Sequence, residues 1–265
     1  MTRFFHSLNR CLRVATFRAA FPVWTAIVAI FALPVLLCPS GWAVQVQRFW
    51  AHGSFGLLRR IANVRYRVRG LENRPSGPVI LAVKHQSAWD TIVFLLDDRP
   101  PAFVFKKELL RIPIFGRYCR RTGMVPIDRS GGSSALRRMI LEARARLAAG
   151  RSLVIFPEGT RVGVDDHCGY QPGVAGLYRQ LNVPVVPVAL NSGLVWPKSG
   201  LIGTGFTVTL EYLEPIPPGL PKKDFVALLE FRIEAATTRL VAEARGEVAR
   251  VSGMEPVNDG DKLQT

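Results

Sequence analysis

Val79-Ile80-Leu81-Ala82-Val83-Lys84-His85-Gln86-Ser87-Ala88-Trp89-Asp90 is the stretch on which the reading of this 265-residue chain turns. Five apolar, mostly β-branched residues follow the breaker run Pro75-Ser76-Gly77-Pro78 and stop abruptly at Lys84. Such a short bounded run reads as a strand buried on both faces. Trp89–Leu96 is apolar enough to enter a helix, so His85 falls at a strand-to-helix junction, where open α/β sheets place their ligands. An imidazole titrates near pH 6.5 when unperturbed and can take a proton from a hydroxyl. A carboxylate five residues on, Asp90, can fix the ring's tautomer if the chain turns between them.

Toward the N-terminus, residues 1–18 carry Arg3, Arg10, Arg13 and Arg18 and no acid, and Ala19–Gln47 carries no charge. Phe21–Cys38 is apolar apart from Thr25, close to the ~20 residues a helix needs to cross a bilayer. Pro34 and Pro39-Ser40-Gly41 interrupt it, and Arg48, Arg59, Arg60 and Arg65 follow. Positive charge at both ends fits a hairpin that dips in and returns, or a tilted helix followed by an interfacial one, better than a single span. Trp42, Phe49 and Trp50 would then lie at head-group level. Without an Ala-x-Ala site, a cleaved signal peptide fits less well. The expected division is a membrane-associated helical segment over 1–58, a catalytic domain over 59–250 and a disordered tail over 251–265.

Toward the C-terminus, apolar strands alternate with helices. Val64, Tyr66 and Val68 alternate with Arg65, Arg67 and Arg69, a strand whose basic face is either a solvated edge or turned to acidic lipid. Ala102–Phe105 runs into Lys106-Lys107-Glu108-Leu109, Met124–Ile127 into Asp128-Arg129, and Leu153–Phe156 into Pro157-Glu158-Gly159-Thr160-Arg161. Ile112–Gly116 reads as a loop, Ser130–Ser133 as a flexible hinge, and Ala135–Ala149 as an amphipathic helix stopped by Gly150. Pro187 inside Val185–Ala189 implies an edge, a bulge or a bend. Asp224–Arg250 reads as a last helix capped by Asp224. The fold expected is α/β: a mixed, largely parallel sheet flanked by helices, with an N-terminal apolar helical membrane-anchoring segment.

The formal charge of +15, with 48% hydrophobic residues and a mean hydropathy of +0.17, points to an anionic partner such as acidic lipid, a phosphorylated substrate or nucleic acid. The arginines are dispersed and no nucleic-acid-binding motif emerges, so nucleic acid is the weaker reading. Four scattered cysteines give neither zinc spacing nor a disulfide framework, and imply a reducing compartment. No Gly-x-Ser-x-Gly elbow marks a serine hydrolase.

Taken together, the strand-end motifs resemble those of the glycerolipid acyltransferases, and within them the members acting on 1-acylglycerol-3-phosphate. The His-x4-Asp motif is matched by His85–Asp90. The second motif is matched by Lys107-Glu108-Leu109, Pro113, Gly116, Gly123 and Asp128-Arg129. Phe156–Arg161 matches the third, and Val183–Val188 the fourth. The likeness covers roughly residues 59–249. Val162 stands where a Ser is usual, and Gln171 where a Lys is common.

The resemblance implies acyl transfer from a thioester to the sn-2 hydroxyl of 1-acylglycerol-3-phosphate (lysophosphatidic acid), giving phosphatidic acid. His85 would be the general base and Asp90 its orienting carboxylate, with no covalent intermediate. Acceptor phosphate and glycerol would meet Lys106 with Lys107 as the fallback, Arg129 unless it pairs with Asp128, and Glu158, Gly159, Thr160 and Arg161. Glu158 would either hold a glycerol hydroxyl or pair with Arg161. No metal or bound cofactor is expected; acyl-CoA or acyl carrier protein thioester is the co-substrate. The implied location is the inner membrane, with the catalytic domain facing the cytoplasm. Another acceptor (lyso-ornithine lipid, glycerol-3-phosphate or another lysophospholipid) and a non-enzymatic basic binding protein are the competing readings.

Overall fold

The computed structural model describes residues 2–200 and 203–251. Two antiparallel helices, α1 (Thr2–Phe31) and α2 (Ser40–Ile61), are joined by a 3-10 turn over Leu33–Leu37, where the prolines fall. Then follow β1 (Arg65–Arg69), β2 (Ile80–Val83), the short α3 (Trp89–Ile92), β3 (Ala102–Lys106), α4 (Phe115–Arg121), β4 (Val125–Ile127) and α5 (Gly132–Ala148). The chain continues through β5 (Leu153–Ile155), α6 (Pro172–Leu181), β6 (Val185–Leu190), β7 (Thr207–Tyr212) and α7 (Lys222–Val251). The expected tail over 251–265 lies outside the described residues, save Val251, which closes α7.

The strands form one sheet in the order β1-β7-β6-β2-β5-β3-β4. All neighbours are parallel except β6 and β7. Strands β2, β3, β4, β5 and β6 therefore end on one edge, and the residues after each of them meet there. This is why motifs scattered over more than a hundred positions converge. β2 is buried along its whole length. Val79, Leu81 and Val83 pack on the face covered by α1 and α2, with Phe17, Leu58 and Trp89. Ile80 and Ala82 pack on the opposite face with Met139 of α5, Val174 of α6 and Phe225 of α7. A three-layer α/β/α arrangement results, with the central strands apolar on both sides.

The helical hairpin shares this core. Phe17 is 1% exposed and meets Trp196 edge to face at 5.3 Å between centroids, and Phe21 meets the same indole at 4.9 Å. A phenyl ring so buried contributes about 1.5–3 kcal/mol. Gly53 of α2 takes the Trp24 ring where a Cβ would stand, so the two helices pack in close contact. Outward, the hairpin leaves a continuous apolar surface: Phe31 is 81% and Leu37 90% exposed, with Ile27, Ile30 and Trp42 also exposed. Leu8–Phe31 is long and apolar enough to cross a membrane. The apolar helix and these exposed side chains fit membrane association.

Several local expectations are corrected. On β1, the edge strand of the sheet, Arg67 and Arg69 remain partly solvated but are not free: they pair with Glu247 and Glu243 of α7 at 2.5 and 2.7 Å. Tyr66 and Val68 are the exposed side of that strand, although Tyr66 also touches the rings of Phe55 and Trp89. Pro187 lies in a central strand, not an edge. Its missing N–H faces Leu213 where the β6–β7 ladder ends, and pairing slips by one residue before Val185 meets Ile216, so the bulge alternative holds. Residues after Ile114 form helix α4 rather than continuing the loop, and Gly132 opens α5 rather than lying in a hinge. α7 begins at Lys222, which puts Asp224 inside the first turn, where a carboxylate still favours the helix dipole, instead of at the cap.

Candidate active site

Ala88, five positions past the end of β2, adopts helical backbone angles, and the turn there folds Asp90 back onto His85. His85 Nδ1 lies 3.1 Å from Asp90 Oδ2. The same oxygen accepts the backbone N–H groups of Gln86 and Ser87 at 2.7 and 2.8 Å. Oδ1 accepts the hydroxyl of Ser192, from the segment after β6. Asp90 is fully buried, so each of these donors replaces water that the carboxylate has lost. With Asp90 on Nδ1, the ring's proton sits there and the lone pair is on Nε2. The imidazole face stacks on Phe156 at 4.0 Å between centroids and 21° between planes.

Beneath this pair is a buried charge cluster. Lys84 Nζ contacts Glu158 Oε1 at 2.6 Å and Glu234 Oε2 at 2.8 Å, and Glu234 also accepts the Tyr170 hydroxyl. Glu158 Oε2 accepts the backbone N–H of His85 at 2.8 Å. Burial depresses the Lys84 ammonium pKa, but Glu158 and Glu234 outweigh it and the net shift is upward. Burial raises the Glu158 pKa against the opposing pull of Lys84 and the His85 N–H. The cluster ties the ends of β2 and β5 to α7. It also corrects one alternative for Glu158, which pairs with Lys84 and not with Arg161.

His85 opens into a cleft of about 660 Å³. Its walls are largely apolar, with Leu95, Phe103, Phe115, Met124 and Leu136 among them, and Trp50 of α2 stands at one end. The volume falls in the range of small-molecule sites. Lys106, Asp128, Arg129, Gly159 and Gln171 supply its polar lining. Gly159 has φ +72°, and a Cβ there would stand 3.3 Å from Arg129 Nη1. The guanidinium thus lies across the glycine, and no carboxylate approaches it among the described residues. Asp128 instead accepts from Ser130, and from Lys107 at 3.2 Å. The Ser130 and Lys107 hydrogen bonds hold its pKa below the usual carboxylate range.

The expected site residues therefore separate. His85, Asp90, Lys106, Arg129 and Gly159 come together at or beside the cleft. Lys107 is exposed and engaged with Asp128. Thr160 is exposed, and Arg161 is half-buried; neither belongs to the cleft lining, although Val162 next to Arg161 donates to the His85 carbonyl. Sequence reasoning missed Ser192, Phe156 as a stacking partner, and Lys84 with Glu234. A lone lysine closing an apolar run and the polar Asn191-Ser192 after a buried strand were the available signals.

An imidazole held by a buried carboxylate, facing a largely apolar cleft that Lys106 and Arg129 also line, has the chemistry to accept a proton from a hydroxyl. A family model described as Acyltransferase matches residues 65–191. The 1-acyl-sn-glycerol-3-phosphate acyltransferase of Pseudomonas aeruginosa is 33% identical over 234 residues, covering 88% of this chain and 90% of that one. The protein of the same name from Limnanthes alba is 28% identical over 185 residues, covering 69% of this chain and 66% of its own. The crystal structure of the 1-acyl-sn-glycerophosphate acyltransferase PlsC from Thermotoga maritima superposes with a TM-score of 0.69, covering 88% of this chain and 97% of that one at 22% identity, which establishes the shared fold. The chain belongs to the acyltransferase family.

Proposed function

We propose that this acyltransferase moves an acyl chain from a thioester to the sn-2 hydroxyl of 1-acylglycerol-3-phosphate, forming phosphatidic acid for phospholipid synthesis. The observation that carries the reading is His85, clamped through Nδ1 to Asp90 and lining an apolar cleft whose rim holds Lys106 and Arg129. His85 Nε2 takes the proton of the attacking hydroxyl, and Asp90 stabilises the imidazolium that forms. The new ester bond forms as the thiolate leaves, and the imidazolium returns the proton to the sulfur. Lys106 and Arg129 hold the acceptor phosphate, Arg129 with its planar fork and Lys106 as a point charge. Arg161 keeps an assignment to the phosphate on residue type alone, behind the two cations of the cleft; Gly159 lets the backbone approach.

The helical hairpin, roughly the first 58 residues, seats the catalytic domain on the membrane. Arginines at both ends of its apolar run favour entry and return on one side, and the reducing-compartment composition favours the cytoplasmic face of the inner membrane. The test is purified full-length chain in lipid vesicles with 1-acylglycerol-3-phosphate and an acyl-CoA or an acyl carrier protein thioester, followed by thiol release and product analysis. Transfer lost in His85→Ala with lipid binding retained supports the reading. Equal or better use of lyso-ornithine lipid, glycerol-3-phosphate or another lysophospholipid would reassign the acceptor.

A further inference from the structure

A second concavity, about 550 Å³, lies between α5 and α6. Its floor is apolar, with Leu136, Ile140 and Ala175; Leu136 packs against Gly176 so closely that a Cβ there would come within 2.8 Å of Leu136 Cδ1. Its walls carry Arg137, Arg144, Arg179 and Lys222, all exposed, and no acidic side chain lines it. Among the described residues, none of these four cations has a carboxylate within ion-pair distance; Arg144 donates to the Gln180 carbonyl. The groove borders the active-site cleft, since Ser133, Leu136 and Pro172 line both. That junction is where α5 and α6 begin, and Lys222 begins α7, so helix amino termini add to the positive field there.

We propose that this groove binds the nucleotide end of an acyl-CoA donor, a reading that rests on the thioester chemistry proposed above. Four cations around an apolar floor match a pyrophosphate and a 3′-phosphate flanking a planar base, and guanidinium groups both pair with phosphates and stack on bases. The pantetheine arm then runs past Ser133 and Pro172 into the cleft toward His85. The groove has the dimensions of a small-molecule site, whereas a protein carrier needs about 800 Å² of matched surface on each side. Trp50 and Gln47 of α2 line the cleft as well, so the lipid acceptor enters from the hairpin and the donor from the α5–α6 side.

The test uses full-length chain in detergent, titrated calorimetrically with free CoA and with dephospho-CoA. The Arg137→Glu/Arg179→Glu double variant is expected to weaken CoA binding about tenfold or more, the loss of a phosphate contact or two. Lys222→Glu on α7 gives an independent second variant, and thermal melts check that each is folded. In turnover, the KM for palmitoyl-CoA rises about tenfold, while that for S-palmitoyl-pantetheine, which lacks the nucleotide, does not. CoA affinity unchanged in both variants overturns the proposal. A defect confined to an acyl carrier protein thioester overturns it too and gives the groove to an acidic protein. If no donor acylates 1-acylglycerol-3-phosphate, the proposed function falls, and the CoA titration still decides the groove.

Discussion

The Ser192 hydroxyl donates to Oδ1 of Asp90 across 102 residues of sequence, joining the end of β6 to the turn after β2. Asp90 is thereby engaged on both oxygens before any substrate arrives. Removing one donor leaves a buried acceptor unpaired, at a cost of about 1–3 kcal/mol. Ser192→Ala is expected to lower kcat about tenfold, the equivalent of about 1.4 kcal/mol in the barrier. Steady-state kinetics check this. Wild-type kcat would mean that the Gln86 and Ser87 amides hold the carboxylate unaided.

Lys84 gives a stability prediction with a defined pH window. Its pKa in the folded chain lies above the ordinary 10.5, so the folded state holds the proton more tightly than the unfolded one. Its contribution is full below the ordinary value of 10.5 and is lost as pH rises through the raised value. The difference in unfolding free energy between wild type and Lys84→Met, measured by urea titration, is expected to shrink above pH 10.5. At pH 7 Lys84→Met leaves Glu158 buried without its cation and costs roughly 3–5 kcal/mol.

Gly159 and Arg129 form one unit. Gly159→Ala meets a left-handed backbone, costing about 1–2 kcal/mol, and its methyl group would press on Arg129 and Gln171. Its expected kinetic signature is a raised KM for the phosphate-bearing acceptor. Arg129→Ala is expected to raise the same KM about tenfold, the loss of one charge-assisted contact, and by more than Arg161→Ala does. The reverse order would return the main phosphate contact to Arg161.

Cys119 lines the cleft but is 4% exposed, and burial pushes its thiol up to about 12. A maleimide at pH 8 is expected to leave Cys119 unmodified in the folded protein and to label it after denaturation, as read by peptide mass spectrometry. Fast labelling of the folded chain would show that the cleft opens far more than its static form.

The sequence made the sheet legible because its central strands are buried on both faces and read as unbroken apolar runs. His85 and Asp90 were legible because their contact is local, set by one turn. The rest of the cluster was not, because its contacts are long-range: Glu234 reaches Lys84 from 150 positions away, and Ser192 reaches Asp90 from 102. Glu158 misled for a similar reason. Its neighbour Arg161 offered an obvious cation, but the buried Lys84 on the adjoining strand had the greater need of a counter-charge. In β1 the alternation of residues was right and the direction wrong, because the arginines found carboxylates on α7, which period-two patterning cannot register.

Phe17 and Phe21 wedge against Trp196, which follows β6, and Trp24 seats on Gly53, so the hairpin is packed within itself and onto the sheet domain. If the hairpin floats at a set level in the lipid, the imidazole is carried at a set height above it. Such an anchor works like a gauge block. On the function proposed above, the catalyst would sample one stratum of the interface, and a lipid would become a reactant when its own free hydroxyl drifts into that stratum.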